Sequence, residues 1–259
     1  MKISFDKMSG AGNDFVAFAG LPGRAGALAK RLCDRRGGVG ADGLLVLERG
    51  ALRPRLSYFN ADGSTAFCGN GSRCAAMWLH ARGWVKGRSF SFDTKEGLVE
   101  ARLIGLERAA VRLPEPKGLR LNLKAAGRKL HFIDTGVPHA VVPVSGLESF
   151  SVLKEGRALR RHKAFAPAGA NVDFISYVKD GLRLRTYERG VEDETQACGT
   201  GAAASAIVAA ALGRVKSPVS VAVNGGTLRV SFARKSDGSF TDVWLEGPAG
   251  FVFSGAIEF

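Results

Sequence analysis

Asn60-Ala-Asp-Gly-Ser-Thr-Ala-Phe-Cys68-Gly-Asn-Gly-Ser-Arg-Cys74 runs, by its pattern, from the end of a strand into the first turn of a helix, and it has an echo. Cys68-Gly69-Asn70-Gly71 opens a helix expected over Ser72 to Arg82. Cys198-Gly199-Thr200-Gly201 opens the Ala-rich run Ala202 to Leu212. Each follows a short apolar strand, Leu56 to Phe59 or Leu182 to Tyr187, and a polar turn. Each precedes two alternating strands, around Lys95-Glu-Gly97 or Asn224-Gly225-Gly226. Cys198 lies 130 residues beyond Cys68, and Gly213 and Val215 lie 130 beyond Gly83 and Val85. Repeats of about 20 to 50 residues indicate solenoids, whereas one repeat of half the chain indicates two like domains.

The chain has 259 residues, enough for one large or two ordinary domains, and an apolar fraction of 46% supports a well-buried core. Its most hydrophobic segment, Ala202 to Leu212, is far shorter than the roughly 20 residues that span a bilayer. Met1-Lys-Ile-Ser-Phe-Asp-Lys7 carries no apolar region of a secretion signal, so no membrane partner and a cytoplasmic location are expected. Four cysteines in such a chain read as reduced thiols rather than a disulfide framework. The net charge of +13 is spread over scattered arginines with no nucleic-acid-binding motif. It reads as a solvated basic surface that at most attracts a small anion, with no nucleic-acid partner.

Along the chain, Ile3 to Met8 and Phe15 to Phe18 read as strands flanking a glycine loop, Ser9 to Asp14, which lacks the lysine of a P-loop. Arg24 to Arg35 has helical spacing, with Cys33 as an inert core thiol. The first helix buries Cys74, Met77, Trp78 and Leu79. Ser89 to Asp93 and Leu98 to Leu103 form a hairpin. Pro114-Glu-Pro116-Lys-Gly118 breaks the pattern and marks the linker. This places one domain over 1–115, completed by the last strand at about 250–259, and a second over 116–249. In the second, Leu119 to Leu123, Lys129 to Asp134 and Ala140 to Val144 read as strands, and Leu147 to Arg161 as a helix. Ala166 to Ala170 is a loop entering a strand at Asn171, and Asn224-Gly225 is a hairpin turn.

A helix N-terminus presents unpaired N–H groups and a partial positive charge, and glycines there let a ligand approach the backbone. A carboxylate fits such a place. A cysteine there has its thiolate stabilised, the property a general base requires. If the two halves face each other, Cys68 and Cys198 would approach one carbon from opposite sides: one thiolate removes an α-proton while the other thiol protonates the far face. The amides of Gly69, Asn70, Gly199 and Thr200 would hold the carboxylate as charge develops. No pyridoxal phosphate site is identifiable, so the chemistry reads as cofactor-independent. A single Cys-Gly-x-Gly is as readily packing plus a turn; two matched copies weigh for chemistry. Metal binding fits poorly, because Cys68 and Cys74 do not have ligand spacing.

Ser9-Gly-Ala-Gly-Asn13-Asp-Phe15, Asn60-Ala-Asp-Gly-Ser64, Cys68 to Cys74, Gly136-Val-Pro-His139, Asn171-Val-Asp-Phe174, Glu188-Arg-Gly190 and Glu194-Thr-Gln-Ala-Cys198-Gly-Thr-Gly201 together resemble the diaminopimelate epimerases, in that family's order. The resemblance implies an α/β fold of two similar domains related by pseudo-twofold duplication, each a mostly antiparallel or mixed sheet wrapped around a central helix. It implies a pyridoxal-independent isomerase that interconverts L,L- and meso-diaminopimelate for lysine and peptidoglycan precursor synthesis; a homodimer is one option for its assembly, which the residues leave open. Cys68 and Cys198 become its acid/base pair, assisted by His139 and Glu188. The α-carboxylate falls on Gly69, Asn70, Gly199 and Thr200, and the amino and distal groups on Asn13, Asn60, Asn171, Glu188 and Arg189.

Each of these assignments has a plainer counterpart in the residues themselves. Arg189 can clamp a distal carboxylate or simply lie at the surface. Glu188 can neutralise an ammonium group or form an ordinary ion pair. Asn13, Asn60 and Asn171 stand at strand-loop junctions where Asn often makes a turn, and His139 can serve the thiols or the fold. Val137 and Gly43 depart from residues, Asn and Gln, found in many or some members. A proline racemase or hydroxyproline epimerase is the nearest rival, although Glu188-Arg189 suits an open-chain substrate with a second charged end. A non-catalytic protein that grips a carboxylate with its helix ends is the other.

Overall fold

The computed structural model describes residues 2–20 and 25–258. Arg24, the expected start of the first helix, and Phe259, the expected end of the last strand, lie outside the described residues. The chain divides into two compact units, Met1–Arg112 with Glu246–Phe259, and Leu113–Leu245.

The first unit begins with β1 (Lys2–Gly10), β2 (Asn13–Ala19), α1 (Ala25–Leu32), β3 (Gly43–Glu48) and β4 (Arg55–Asn60). It continues through α2 (Gly69–Ala81), β5 (Ser89–Thr94), β6 (Gly97–Leu103) and β7 (Arg108–Arg112). The second holds β8 (Lys117–Ala125), β9 (Arg128–Asp134), β10 (Pro138–Pro143), α3 (Val152–Arg160), β11 (Asn171–Val178) and β12 (Gly181–Glu188). After these come β13 (Asp193–Thr195), α4 (Gly199–Ala211), β14 (Val219–Val223), β15 (Gly226–Arg234) and β16 (Phe240–Pro248). The chain returns to the first unit at Glu246, within β16, and β17 (Gly250–Glu258) pairs antiparallel with β1.

The pairing pattern is the same twice. In the first unit β1/β2 is antiparallel, β2/β3 parallel, β3/β4 antiparallel, β4/β5 parallel and β5/β6 antiparallel. In the second, β9/β10, β10/β11, β11/β12, β12/β14 and β14/β15 follow the same alternation. Parallel neighbours need a crossover rather than a tight turn. The four α-helices among the described residues are those crossovers: α1 and α3 span the first parallel step of each unit, α2 and α4 the second.

α2 packs against β1, β2, β3, β4, β6 and β7, and α4 against β9, β10, β11, β12, β14 and β15, so each sheet wraps around its helix. Gly69 to Leu79 are all buried, as are Thr200 to Ala210. A helix buried on every side cannot be amphipathic. Small residues let the strands approach α4, which is why its sequence is mostly alanine. Both helices end alike. Trp84 N–H donates to Leu79 O at 2.9 Å and Arg214 N–H to Ala209 O at 2.9 Å, each across a left-handed glycine, Gly83 at φ 66° and Gly213 at φ 72°.

Several local expectations change. Strand β1 runs on through Gly10, and Ala11 (φ 55°) with Gly12 (φ 86°) makes a two-residue hairpin turn where a longer glycine loop was expected. Both long helices start at the glycine after the cysteine, three residues earlier than expected, because the cysteine itself is the N-cap. The segment expected to be helical from Leu147 to Arg161 splits into a 3₁₀ turn, Leu147–Ser149, and α3. Strand β13 fills part of what read as a loop before Cys198.

Candidate active site

Asn13, Asn60, Cys68, Gly69 and Asn70 fall in the first unit. Cys68, in extended backbone (φ −130°, ψ 105°), caps α2, and its Sγ accepts the Gly71 N–H at 3.3 Å. The first-turn amides of Gly69 and Asn70 have no intrahelical acceptor by geometry, so the cap is a cradle of N–H groups. Asn70 Nδ2 donates to Asn13 Oδ1 at 2.6 Å, and Asn13 Nδ2 to Asp42 Oδ2 at 2.8 Å. Arg73 Nη2 donates to Asn70 Oδ1 at 2.8 Å. The two asparagines therefore join in one hydrogen-bonded line. Asn60 is engaged within its own loop: Tyr58 Oη donates to its Oδ1 at 2.8 Å and its Nδ2 donates to Ser64 Oγ at 2.9 Å.

The second unit holds His139, Asn171, Glu188, Arg189, Cys198, Gly199 and Thr200. Cys198 caps α4 in extended backbone (φ −118°, ψ 109°) and is buried. Its Sγ lies 3.5 Å from Thr200 Oγ1, which lies 3.0 Å from His139 Nε2; His139 Nδ1 is 2.7 Å from Asp173 Oδ2. Thr186 Oγ1 donates to the other oxygen of Asp173 at 2.7 Å. His139 and Asp173 are both fully buried. The chain of contacts fits one proton arrangement for a neutral ring: Nδ1–H donates to Asp173, Thr200 O–H donates to Nε2, and Cys198 S–H donates to Thr200. A proton can pass along it from sulfur to imidazole. Asn171 Oδ1 accepts the Arg189 backbone N–H at 2.7 Å, so Asn171 fixes the segment that carries Arg189.

The four thiols differ in setting. Burial pushes Cys33 up to about 11 and Cys74 up to about 12, which leaves both as inert core groups. Cys198 is also driven well above the usual thiol value, by burial first and then by the charges of Glu188 and Asp173; Thr200 and the Gly201 N–H pull weakly the other way. Among the described residues no group of three or more His, Cys, Asp and Glu side chains is placed to hold a metal ion. Among them, too, no helix is long and apolar enough to cross a membrane.

The reading of residues missed Arg73 and Asp173 as participants and gave Thr200 only a backbone role. A signal for Arg73 existed. The position 130 residues on is Ala203, so the charge breaks the repeat.

The sequence pattern of the family described as "Diaminopimelate epimerase" matches residues 5–113 and 131–249. A diaminopimelate epimerase of Chlorobaculum tepidum is 41% identical over 259 residues, covering 96% of this chain and 99% of that one. One of Aquifex aeolicus is 38% identical over 278 residues, covering 99% and 98%. Among solved structures, a phenazine biosynthesis protein of the PhzF family from Bacillus anthracis superposes with TM-score 0.78 at 15% identity, covering 100% of both chains. A hydroxyproline epimerase from Agrobacterium vitis gives TM-score 0.72 at 16% identity, covering 99% of this chain and 91% of that one. At such identity these two speak for the duplicated fold alone. The match over both units, with relatives this similar along nearly their whole length, shows that the chain belongs to the diaminopimelate epimerase family of isomerases.

Proposed function

We propose that the protein interconverts L,L- and meso-diaminopimelate through two thiols, without pyridoxal phosphate, as a cytoplasmic enzyme of lysine and peptidoglycan precursor synthesis. The observation that carries the reading is that each unit caps its buried helix with a cysteine, in helices of equal length set 130 residues apart. The segments 1–115, completed by the last strand at about 250–259, and 116–249 are read as its two epimerase domains.

In one turnover a thiolate takes the α-proton and becomes a thiol. The electron pair left on the α-carbon is stabilised by the adjoining carboxylate, held by the first-turn amides of Gly69, Asn70, Gly199 and Thr200. The other thiol gives its proton to the opposite face and becomes the thiolate, so the reverse reaction starts from the product state. His139, through Thr200, can take or return the Cys198 proton, and Glu188 sets the charge around it. Asn13, Asn60, Asn171, Glu188 and Arg189 receive the amino groups and the distal carboxylate, with Arg189 suited to a planar two-point grip. A homodimer belongs to the same reading: Phe251, Val252 and Phe253 stand exposed on β17 as an apolar strip, and light scattering would show whether it is covered.

The test is exchange of solvent deuterium into the α-carbon of L,L-diaminopimelate, with proline and hydroxyproline run alongside. Wild type is expected to exchange and epimerise the open-chain substrate only, with no loss on treatment with hydroxylamine. Cys68→Ala and Cys198→Ala should each abolish epimerisation. Full turnover by either variant would overturn the two-thiol reading.

A further inference from the structure

The two cysteine caps sit in opposite electrostatic surroundings. Arg73, one turn into α2, is fully buried, yet among the described residues no carboxylate lies within ion-pair distance of it. Nη1 reaches Gly69 O at 3.5 Å, Nη2 reaches Asn70 Oδ1 at 2.8 Å, and Nε, also buried, has no acceptor. Burying a guanidinium is costly unless an opposite charge offsets the lost hydration. Burial holds Arg73 down to about 10.

The charges on the strands packed against α2 are engaged elsewhere. On β1, Asp6 accepts from Trp78 Nε1 at 2.7 Å, Ser254 Oγ at 2.6 Å and Arg82, while Lys7 pairs with Asp14 of β2 at 2.7 Å. Arg108 of β7 pairs with Glu246 at 3.0 Å, and Arg112 of β7 with Glu100 of β6 at 2.8 Å. Glu48 of β3 faces Arg55 of β4 in register, and Arg102 of β6 is exposed. Arg73 follows Cys68 by five residues in the same helix start and its guanidinium reaches back to Gly69 O and Asn70 Oδ1, beside the Cys68 cap; adjoining Cys74 is kept a neutral thiol by burial. Cys74 is sealed in the core. Cys68, half-buried at the helix start with a backbone N–H on its sulfur, is the member that can ionise. At the matching place in α4 stands Ala203, and the charges near Cys198 are carboxylates, Asp173 and Glu188.

We propose that Arg73 is a positioning residue that supplies the counter-charge of Cys68, making Cys68 the resting thiolate of the pair and leaving Cys198 the resting thiol. The inference rests on the two-thiol reading above. It gives the duplicated site a direction: the epimer whose α-proton faces Cys68 reacts with the free enzyme in its resting state.

The test is alkylation by iodoacetamide of the full-length protein from pH 5 to 10, with each cysteine followed by peptide mass spectrometry, in wild type, Arg73→Lys and Arg73→Met. In wild type, Cys68 is expected to be alkylated with a lower pH midpoint than Cys198. Arg73→Met should raise the Cys68 midpoint by at least about one unit, a roughly tenfold slower reaction at neutral pH. Arg73→Lys, a more hydrated charge without the planar fork, should raise it part of the way. The acid limb of kcat/KM should move with it, which a purely structural role would not produce. A lower midpoint at Cys198, or a Cys68 midpoint unmoved in either folded variant, overturns the inference. Should Arg73→Met fail to fold by circular dichroism, wild type and Arg73→Lys decide by the same criteria. The titration needs no substrate, so the expected thiol behaviour without α-deuterium exchange would sink the epimerase reading alone.

Discussion

Thr200 is a single hydroxyl between the Cys198 sulfur, at 3.5 Å, and the His139 imidazole, at 3.0 Å. Valine has nearly the same shape but no hydroxyl, so Thr200→Val would leave Nε2 of a buried histidine without a partner. Such an orphaned polar group costs about 1–3 kcal/mol. The same change cuts the path from sulfur to ring. Thr200→Val is expected to keep its fold, melt at a lower temperature and lose about a hundredfold in kcat, the low side of what a positioned proton carrier contributes. Thr200→Ser should retain most turnover. Equal kcat in the valine variant would show that the hydroxyl carries no proton.

Two glycines, one in the first turn of α4 and one just past its end, look interchangeable in the sequence but not in the fold. At Gly201 a Cβ would lie 2.4 Å from Asp173 Oδ1 and 3.2 Å from Cys198 Cβ, and Asp173 is pinned by Thr186 and His139. Gly201→Ala therefore overpacks the start of the helix, typically costing about 1–3 kcal/mol, and displaces the cap that holds the thiol. At Gly213 nothing lies within 4 Å, but φ is +72°. There an alanine pays only for the left-handed backbone, about 1–2 kcal/mol. Both variants should lower Tm, while only Gly201→Ala should lose α-deuterium exchange. This contrast also marks what was legible at this scale. Both Cys-Gly-x-Gly turns and their helices could be read from the chain, whereas the carboxylate that forbids a side chain at Gly201 comes from β11, 28 residues away.

For the whole molecule, β17 ties the end of the chain to its beginning, pairing from Lys2↔Glu258 to Ser9↔Gly250 with one register shift between Lys7 and Met8, and with Phe5 edge-on to Phe253 at 6.1 Å. Truncation after Pro248 would expose β1 as an unpaired edge. The expected result is loss of a single cooperative melt and aggregation detectable by light scattering. One route by which acid should act lies in the first unit, at Asp14. Burial alone would raise Asp14, but hydrogen bonds and charge from Arg35 and Lys7 outweigh it and hold the carboxyl at about 2, below its ordinary 3.8. The folded state thus binds fewer protons than the unfolded one between these values. The stability from Asp14 is complete above about pH 4 and lost as pH falls toward 2. Asp14→Asn should melt lower at neutral pH and show a smaller further loss over that window, measured by Tm against pH.

By itself the sequence determined the duplication, the two cysteine-capped helices and their glycine stops, because caps and periodicity are written within one turn of the residues they act on. It also identified the residues that the two helix starts present. Tertiary structure alone decided which groups serve them. Parallel pairing of β10 with β11 sets His139 opposite Asn171 and so brings Asp173, two residues along the same face, to the imidazole. Burial of α2 within its sheet strips Arg73 of solvent, and among the described residues no carboxylate pairs with it. Pairing register and desolvation depend on segments far apart in the chain, and no local pattern encodes them.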